Sequence, residues 1–467
     1  MTTSLSKGSA ASSSAADTAS SAPPAEQDLH SGPSRTGGRY ARLPQLAGKG
    51  FIPLGLFARL PLAMLTVGAL TLVTAVAGSY AVGGAAAGAV GVGSALGAPV
   101  LGAWADRLGQ RPVLLFAAIF NTAAVVALIL AAYHVPAGHD IAAAVPVLAA
   151  AFVAGASCPQ VGPLARVRWM ALTAQGSRAG HPEDLDAALS YESTADELTF
   201  VLGPALVGIL ASLVAPWLPL ALAAALTLTL VPAFAVHRTH LAVPVSLLRR
   251  RSAPAAAHHA APEPAAPNTA ARATSGACGR GMAAVVLPFL AMVCMGTFFG
   301  STQTGLSSFS AGIATAEIAG LLYAVMGLSS AAAALSVAYW PQPFTLQARW
   351  MACAVLMAGL AVLLLLPASM LSMVLVLLVL GLPVGPLMVT VFAVGGVIAP
   401  AGRLGTVMTA LASGIVAGTA LGSFVAGQLA QQQGYSAAFL VPVCAAAALF
   451  ILGAAAAVVL RKGRPAH

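Results

Sequence analysis

Twelve stretches of about 20 apolar residues, separated by short polar connections, limit what this chain can become. In hydrocarbon, such a run must satisfy its own backbone N–H and C=O groups, which leaves the α-helix as the available form. The stretches fall at approximately 55–78, 82–105, 112–134, 141–165, 190–214 and 216–236, then 283–305, 316–340, 350–367, 370–398, 404–430 and 436–460. Only 7% of the 467 residues are charged, against about 25% in soluble domains, so the chain cannot clothe a water-facing surface. The expected fold class is an all-α membrane protein, its twelve transmembrane helices divided into two six-helix bundles by a polar interval.

That interval, 237–282, holds Arg249, Arg250, Arg251, His258 and His259 among many Pro and Ala residues, and reads as a linker. The expected organisation is therefore a disordered cytoplasmic tail at 1–50, a six-helix bundle at 51–236, a cytoplasmic linker at 237–282, a second bundle at 283–460, and a cytoplasmic tail at 461–467. The net charge of +9 does not indicate nucleic acid, because the basic residues lie in tails and connections and not on a folded basic domain. They read as topological anchors. With the N-terminus in the cytoplasm, all 22 Lys and Arg residues fall inside, among them Arg59, Arg107, Arg111, Arg166, Arg168, Arg349 and Arg403. The outside retains only the acids Asp140 and Glu317. So complete a bias places the protein in the cytoplasmic membrane with both termini inside.

Four of the five cysteines (Cys158, Cys294, Cys353 and Cys444) sit in apolar spans and Cys278 in a loop, without a Cys-x-x-Cys pair. They read as packing residues, not as disulfides or metal ligands. His258 and His259 read as a solvated pair. The spans carry no His-Glu-x-x-His, phosphate-binding loop or Gly-x-Ser-x-Gly, so neither an enzyme nor a cofactor is expected. Short echoes recur at a six-helix offset: Val161-Gly162-Pro163-Leu164 with Val384-Gly385-Pro386-Leu387, Gly203-Pro204-Ala205-Leu206 with Gly418-Thr419-Ala420-Leu421, and Ala87-Gly88 with Ala319-Gly320. Two parallel six-helix halves are used by alternating-access transporters.

The connection between the second and third spans is a charged hairpin carrying Gly102, Asp106, Arg107, Gly109 and Arg111. Gly-x-x-x-Asp-Arg-x-Gly-x-Arg at this place resembles the loop signature of the major facilitator superfamily, and the resemblance extends from about residue 50 to 462. In style it is similar to an actinobacterial, drug-efflux-like branch. The resemblance implies two bundles rocking about a central cavity, with Asp106 meeting the N-terminal end of the eleventh helix near Gly405 and Thr406. An acid there would meet the positive end of a helix dipole. Without that role, Arg107 and Arg111 would serve only to fix topology. Gly203, Pro204 and Gly208 are similar to the Gly-Pro motif of proton-coupled exporters, except that Ile209 stands where a second glycine is expected. Equally, they could serve helix packing alone. The arginine such exporters carry in the fourth helix is absent, its place taken by Ala151, with Ala154 replacing a Gln.

Proton exchange would then need other groups. Arg166 and Arg168 close the fourth span, and Glu192, Asp196 and Glu197 open the fifth. Glu192 and Asp196, four apart, share a helix face and could meet one or both arginines. Two readings stay open: a structural ion-pair network, or a partly desolvated carboxylate that exchanges protons. For the substrate pathway the candidates are Asn121, Thr122, Gln160, Gln303, Thr304 and Tyr323, with Phe298 and Phe299 beside them. Gln303 and Thr304, flanked by Gly300 and Gly305, lead this set, although each residue singly could serve helix-to-helix hydrogen bonding. With no charge expected near mid-span, the substrate is expected to be apolar or weakly polar. The expected function is a secondary transporter, acting as a monomer in the lipid bilayer on a small molecule, with efflux favoured and protons as the coupling partner. An uptake carrier for a neutral nutrient and a non-transporting sensor or scaffold are the alternatives.

Overall fold

A computed structural model describes residues 39–78, 80–134, 144–175, 182–244, 269–313, 318–341 and 343–462. His258, His259, Arg178, Asp140 and Glu317 lie outside the described residues. Twelve helical segments are long and apolar enough to cross a membrane: Phe51–Ala77, Val82–Leu108, Gln110–Ala132, Val145–Ala174, Glu183–Leu213, Leu218–Val236, Val285–Ser310, Ala319–Tyr339, Leu346–Leu365, Met370–Ile398, Leu404–Gln433 and Tyr435–Ala457. They are called spans one to twelve below. The protein is an all-α, multi-pass membrane protein of two six-helix bundles.

Large apolar side chains such as Leu96, Ile119, Leu328 and Leu371 point outward, as lipid-facing surface requires. Inside each half the helices approach through small residues. A Cβ on Gly155 would lie 2.0 Å from the carbonyl oxygen of Val90, which presses the fourth span against the second. In the other half, a Cβ on Gly385 would lie 2.2 Å from the carbonyl oxygen of Ser330, pressing the tenth span against the eighth. Without a hydrophobic force to pull helices together in lipid, such backbone approach supplies the van der Waals contact that does. The pairs two–four and eight–ten are related by the six-helix offset seen in the sequence echoes.

Two spans are interrupted where charges or polar groups enter. The first is two helices, Phe51–Phe57 and Leu60–Ala77, with Arg59 at the join. Pro61 at the start of the second helix lacks an N–H, so the join leaves fewer donors unpaired. The fourth is likewise split into Val145–Ala156 and Val161–Gln175, where Pro159 breaks the ladder. Its helix therefore runs ten residues beyond the expected end at 165, carrying Arg166 and Arg168 inside the folded protein.

The expected tail at 1–50 needs correction at its end. Arg39–Arg42 forms a 3₁₀ turn and Leu43–Ala47 a short helix. Leu43 and Ala47 are buried in an apolar cluster with Phe51, Trp169 and Phe234. Tyr40 donates to the Leu335 carbonyl and Arg39 to that of Ala338, both at the end of the eighth span. The low-complexity composition ends by residue 39, and Tyr40-x-x-Leu43 supplies apolar surface worth burying.

Candidate functional site

The fifth span packs against the first and fourth, and the three bring four charged side chains together. Arg59, only 4% exposed, donates to Glu192 Oε2 at 2.5 Å and to Asp196 Oδ1 at 2.8 Å. Its Nε donates to the Gly55 carbonyl at 2.9 Å, a group freed by the helix break. Arg166 donates to Asp196 Oδ2 at 2.7 Å, and its guanidinium lies 4.0 Å from the centre of the Phe392 ring. Trp169 Nε1 donates to Glu192 Oε1 at 2.8 Å. Each of these two carboxylates thus has both oxygens engaged, as burial of an ionised group requires. Arg59 lies eight residues into its span, roughly 12 Å along the helix axis.

Between the halves, directly above this cluster, lies a small cleft with a cavity volume of about 50 Å³. From the first half it is lined by Arg59, Ala63, Ser94, Gln160, Gly162, Asp196, Thr199 and Phe200, and from the second by Phe392, Ser413, Ile415 and Val416 among others. Below it the halves are joined by hydrogen bonds. Ser330 donates to Glu197 Oε1 at 2.7 Å, Thr194 to the Ala331 carbonyl at 3.2 Å, and Arg349 to Asp186 Oδ2 at 3.0 Å.

The hairpin makes the most direct link. Asp106 Oδ1 accepts from the Gly405 N–H at 2.8 Å, and Oδ2 accepts from the Thr406 N–H and hydroxyl, each at 2.7 Å. These are the unpaired donors at the start of the helix Leu404–Gln433, where the dipole favours an anion. A Cβ on Gly102 would lie 2.0 Å from Thr409 Oγ1, so only glycine permits this approach. Gly109, at φ +95°, turns the chain into the third span.

The sequence match agrees with this geometry. Residues 52–412 match the Major Facilitator Superfamily. The chain belongs to that superfamily. No curated protein sequence matches it. Among solved structures, the human organic anion transporter MFSD10 (TETRAN) aligns with a TM-score of 0.61 at 19% identity, over 89% of this chain and 100% of that one. A bacterial homologue of the iron transporter ferroportin, outward-facing, gives 0.62 at 14% identity, over 87% and 98%. FucP, the fucose:proton symporter of E. coli, in its outward conformation gives 0.53 at 13% identity, over 86% and 98%. At such identities the likeness is one of fold. Fold and family together indicate membrane transport.

Within this superfamily member, the residues singled out from sequence divide. Asp196 meets Arg166, but Glu192 is held by Arg59 and Trp169 and meets neither expected arginine, and Arg168 does not join the cluster. Its guanidinium turns to Gln110 Oε1 at 2.8 Å, the Phe234 carbonyl at 2.7 Å and Thr239 Oγ1 at 3.0 Å, and stacks on Phe234. Two residues along a helix is about 200° around it, which sends the two arginines to different neighbours. Glu197 faces the eighth span instead of the arginines, within electrostatic reach of Tyr323. Arg107 and Arg111 are exposed, leaving Asp106 alone at the contact.

Gln160 lines the cleft, while Asn121, Gln303, Thr304 and Tyr323 are not among its lining residues. Asn121 is instead a helix-to-helix hydrogen bonder, donating to the Ala154 carbonyl at 2.6 Å. Gln303 is exposed, and Thr304 donates to the Gly300 carbonyl at 2.9 Å within its own helix. Their glycine neighbours are occupied by packing: a Cβ on Gly300 would lie 2.1 Å from the Thr419 carbonyl oxygen. Gly203 does pack, its Cβ position 2.7 Å from that of Ala63, and Pro204 lies within the helix, but Gly208 has nothing near it. The residue missed was Arg59. Its signal was an arginine two residues before Pro61, inside an otherwise apolar run, and it was read as part of the flanking tail.

Proposed function

We propose that this chain is a monomeric secondary active transporter that exports a small, hydrophobic or weakly polar organic molecule across the cytoplasmic membrane, in exchange for protons. The observation that carries this reading is the cleft between the halves, lined from both and underlain by hydrogen bonds that join them. A cavity at such an interface changes its access when the halves rock, which is alternating access. The basic ends of the spans are taken as cytoplasmic by the positive-inside rule, so the described state is shut on the cytoplasmic side. Asp106 acts as the latch of that state, through Gly405 and Thr406.

The lining sets the substrate class. Arg59 and Asp196 are the charged groups at the cleft, and they neutralise each other, so no net charge is offered to a ligand. Ser94, Gln160, Thr199 and Ser413 supply a few hydrogen bonds against a largely apolar wall, a composition suited to a weakly polar organic compound.

The test is accumulation of ethidium, rhodamine and a panel of uncharged antibiotics by cells with and without the protein. Lower steady-state accumulation of at least one compound, reversed by a protonophore, is the expected result. Accumulation equal to control cells for the whole panel overturns efflux of this class. Inward accumulation would establish uptake instead.

A further inference from the structure

Beneath the cleft the fifth span carries three acids, and Arg59 and Arg166 reach only two of them, so one acid lacks a countercharge. The geometry identifies it as Glu197. Arg59 is committed to Glu192 and Asp196, and Arg166 to Asp196. Arg168 points to the sixth span. Glu197 is 8% exposed; its Oε1 accepts from Ser330, and its Oε2 has no hydrogen-bond partner among the described residues. The elements packed on this helix offer it no cation. The eighth span brings Tyr323, the 3₁₀ turn after it Tyr339, and the tenth and sixth spans have no titratable side chain. Arg39, Arg42 and Arg349 meet the far end of the helix at Glu183, Asp184 and Asp186, and Tyr191 lies on the helix itself, donating to the Ile52 carbonyl.

An ionised carboxylate buried without a countercharge is costly, and a protonated one is not. Glu197 also sits on the seam itself, since its one partner belongs to the opposite half. We propose that Glu197 is the binding site of the coupling proton, loaded while the fifth and eighth spans touch and emptied when they part. This rests on the carrier reading above. In the shut state the carboxyl keeps its O–H bond. Opening the basic end removes Ser330, admits water, and transfers the proton to that water, leaving a carboxylate. The next proton arrives from the cleft, whose lining includes the flanking Asp196 and Thr199. One proton therefore moves inward per cycle. Asp196 is already paired with Arg59 and Arg166 and is not the site proposed here.

The experiment needs no known substrate. In a cysteine-free background, spin labels at Leu241→Cys and Val397→Cys, both exposed at the basic ends of opposite halves, report opening of the full-length protein in nanodiscs. The expected result is a pH-dependent lengthening of the label separation between about pH 5 and 9. Glu197→Gln should hold the short distance at every pH. Ser330→Ala, which removes a donor to the carboxylate, should raise the midpoint by about one pH unit. A wild-type transition preserved in Glu197→Gln, an absent wild-type transition, or a transition that follows sodium in place of protons would overturn the proposal. If Glu197→Gln is misfolded by size-exclusion chromatography, an unmoved Ser330→Ala midpoint overturns it equally. A protein that exports ethidium against its gradient but shows no such transition refutes this site and leaves the carrier standing. A transition without transport of any compound does the reverse.

Discussion

Asp106 and Arg59 show two ways in which one residue can hold a helix array. Asp106 accepts three hydrogen bonds at a helix N-terminus while half-exposed. Charge-assisted bonds and the dipole together are worth about 1–2 kcal/mol there. Asp106→Asn should therefore lower the shut population about 5- to 30-fold and reduce transport, with membrane insertion unchanged. Wild-type transport rates in that variant would remove the latch. Arg59 is fully enclosed, and removing it leaves Glu192 without its cation and Asp196 with only Arg166. Arg59→Met should cost about 3–5 kcal/mol of stability, read as a lower unfolding temperature in detergent. Arg59→Met combined with Glu192→Met should recover part of that loss, since no uncompensated acid then remains at Glu192. Asp106 was legible from sequence because its motif fixes both partner and place. The pairing of Arg59 was not, because it depends on a break within a span that hydropathy averages over.

At the level of elements, the short helix Leu43–Ala47 ties the N-terminal segment into the folded protein. Leu43 and Ala47 bury in the first half while Tyr40 and Arg39 hydrogen-bond to the second. Burial pushes the Tyr40 hydroxyl up to about 12, so it remains a neutral donor at any physiological pH. Leu43→Asp should cost about 2–4 kcal/mol by placing an unpaired acid in an apolar cluster. It should also increase protease cleavage at Arg39 and Arg42, measured against wild type. Unchanged cleavage would mean that this segment does not brace the two halves. Span count and type were readable from apolar runs of about 20 residues, since lipid permits little else. The split of the fourth span was hinted at by Pro159 and Pro163, yet its ten-residue extension carrying Arg166 and Arg168 was hidden by treating charge as the end of a span. Gly300 and Gly305, which flank the favoured Gln303 and Thr304, are close-packed against the eleventh and twelfth spans.

For the whole molecule, the distribution of charge sets the expected orientation, and the six-helix echoes pointed to two halves. Where the cleft lies between them was not readable, because it depends on which faces of the second, fifth, eighth and eleventh spans meet. The orientation can be checked by labelling single cysteines from either side of the membrane. Arg107→Cys and Arg349→Cys should react only with a reagent on the cytoplasmic side, and Tyr133→Cys only with one outside. Reaction of Arg107→Cys and Arg349→Cys from opposite sides would dismantle the two-bundle topology.

Beside a small apolar patch, in which Leu185, Leu189 and Met170 of the first half meet Ala334, Val337, Val389 and Ala393 of the second, the seam beneath the cleft is stitched from donors and acceptors. Water and dissolved ions compete for such partners, whereas they hardly touch the glycine crossings inside each half. Raised ionic strength or a mild denaturant should therefore loosen one mouth of the molecule well before either bundle begins to melt.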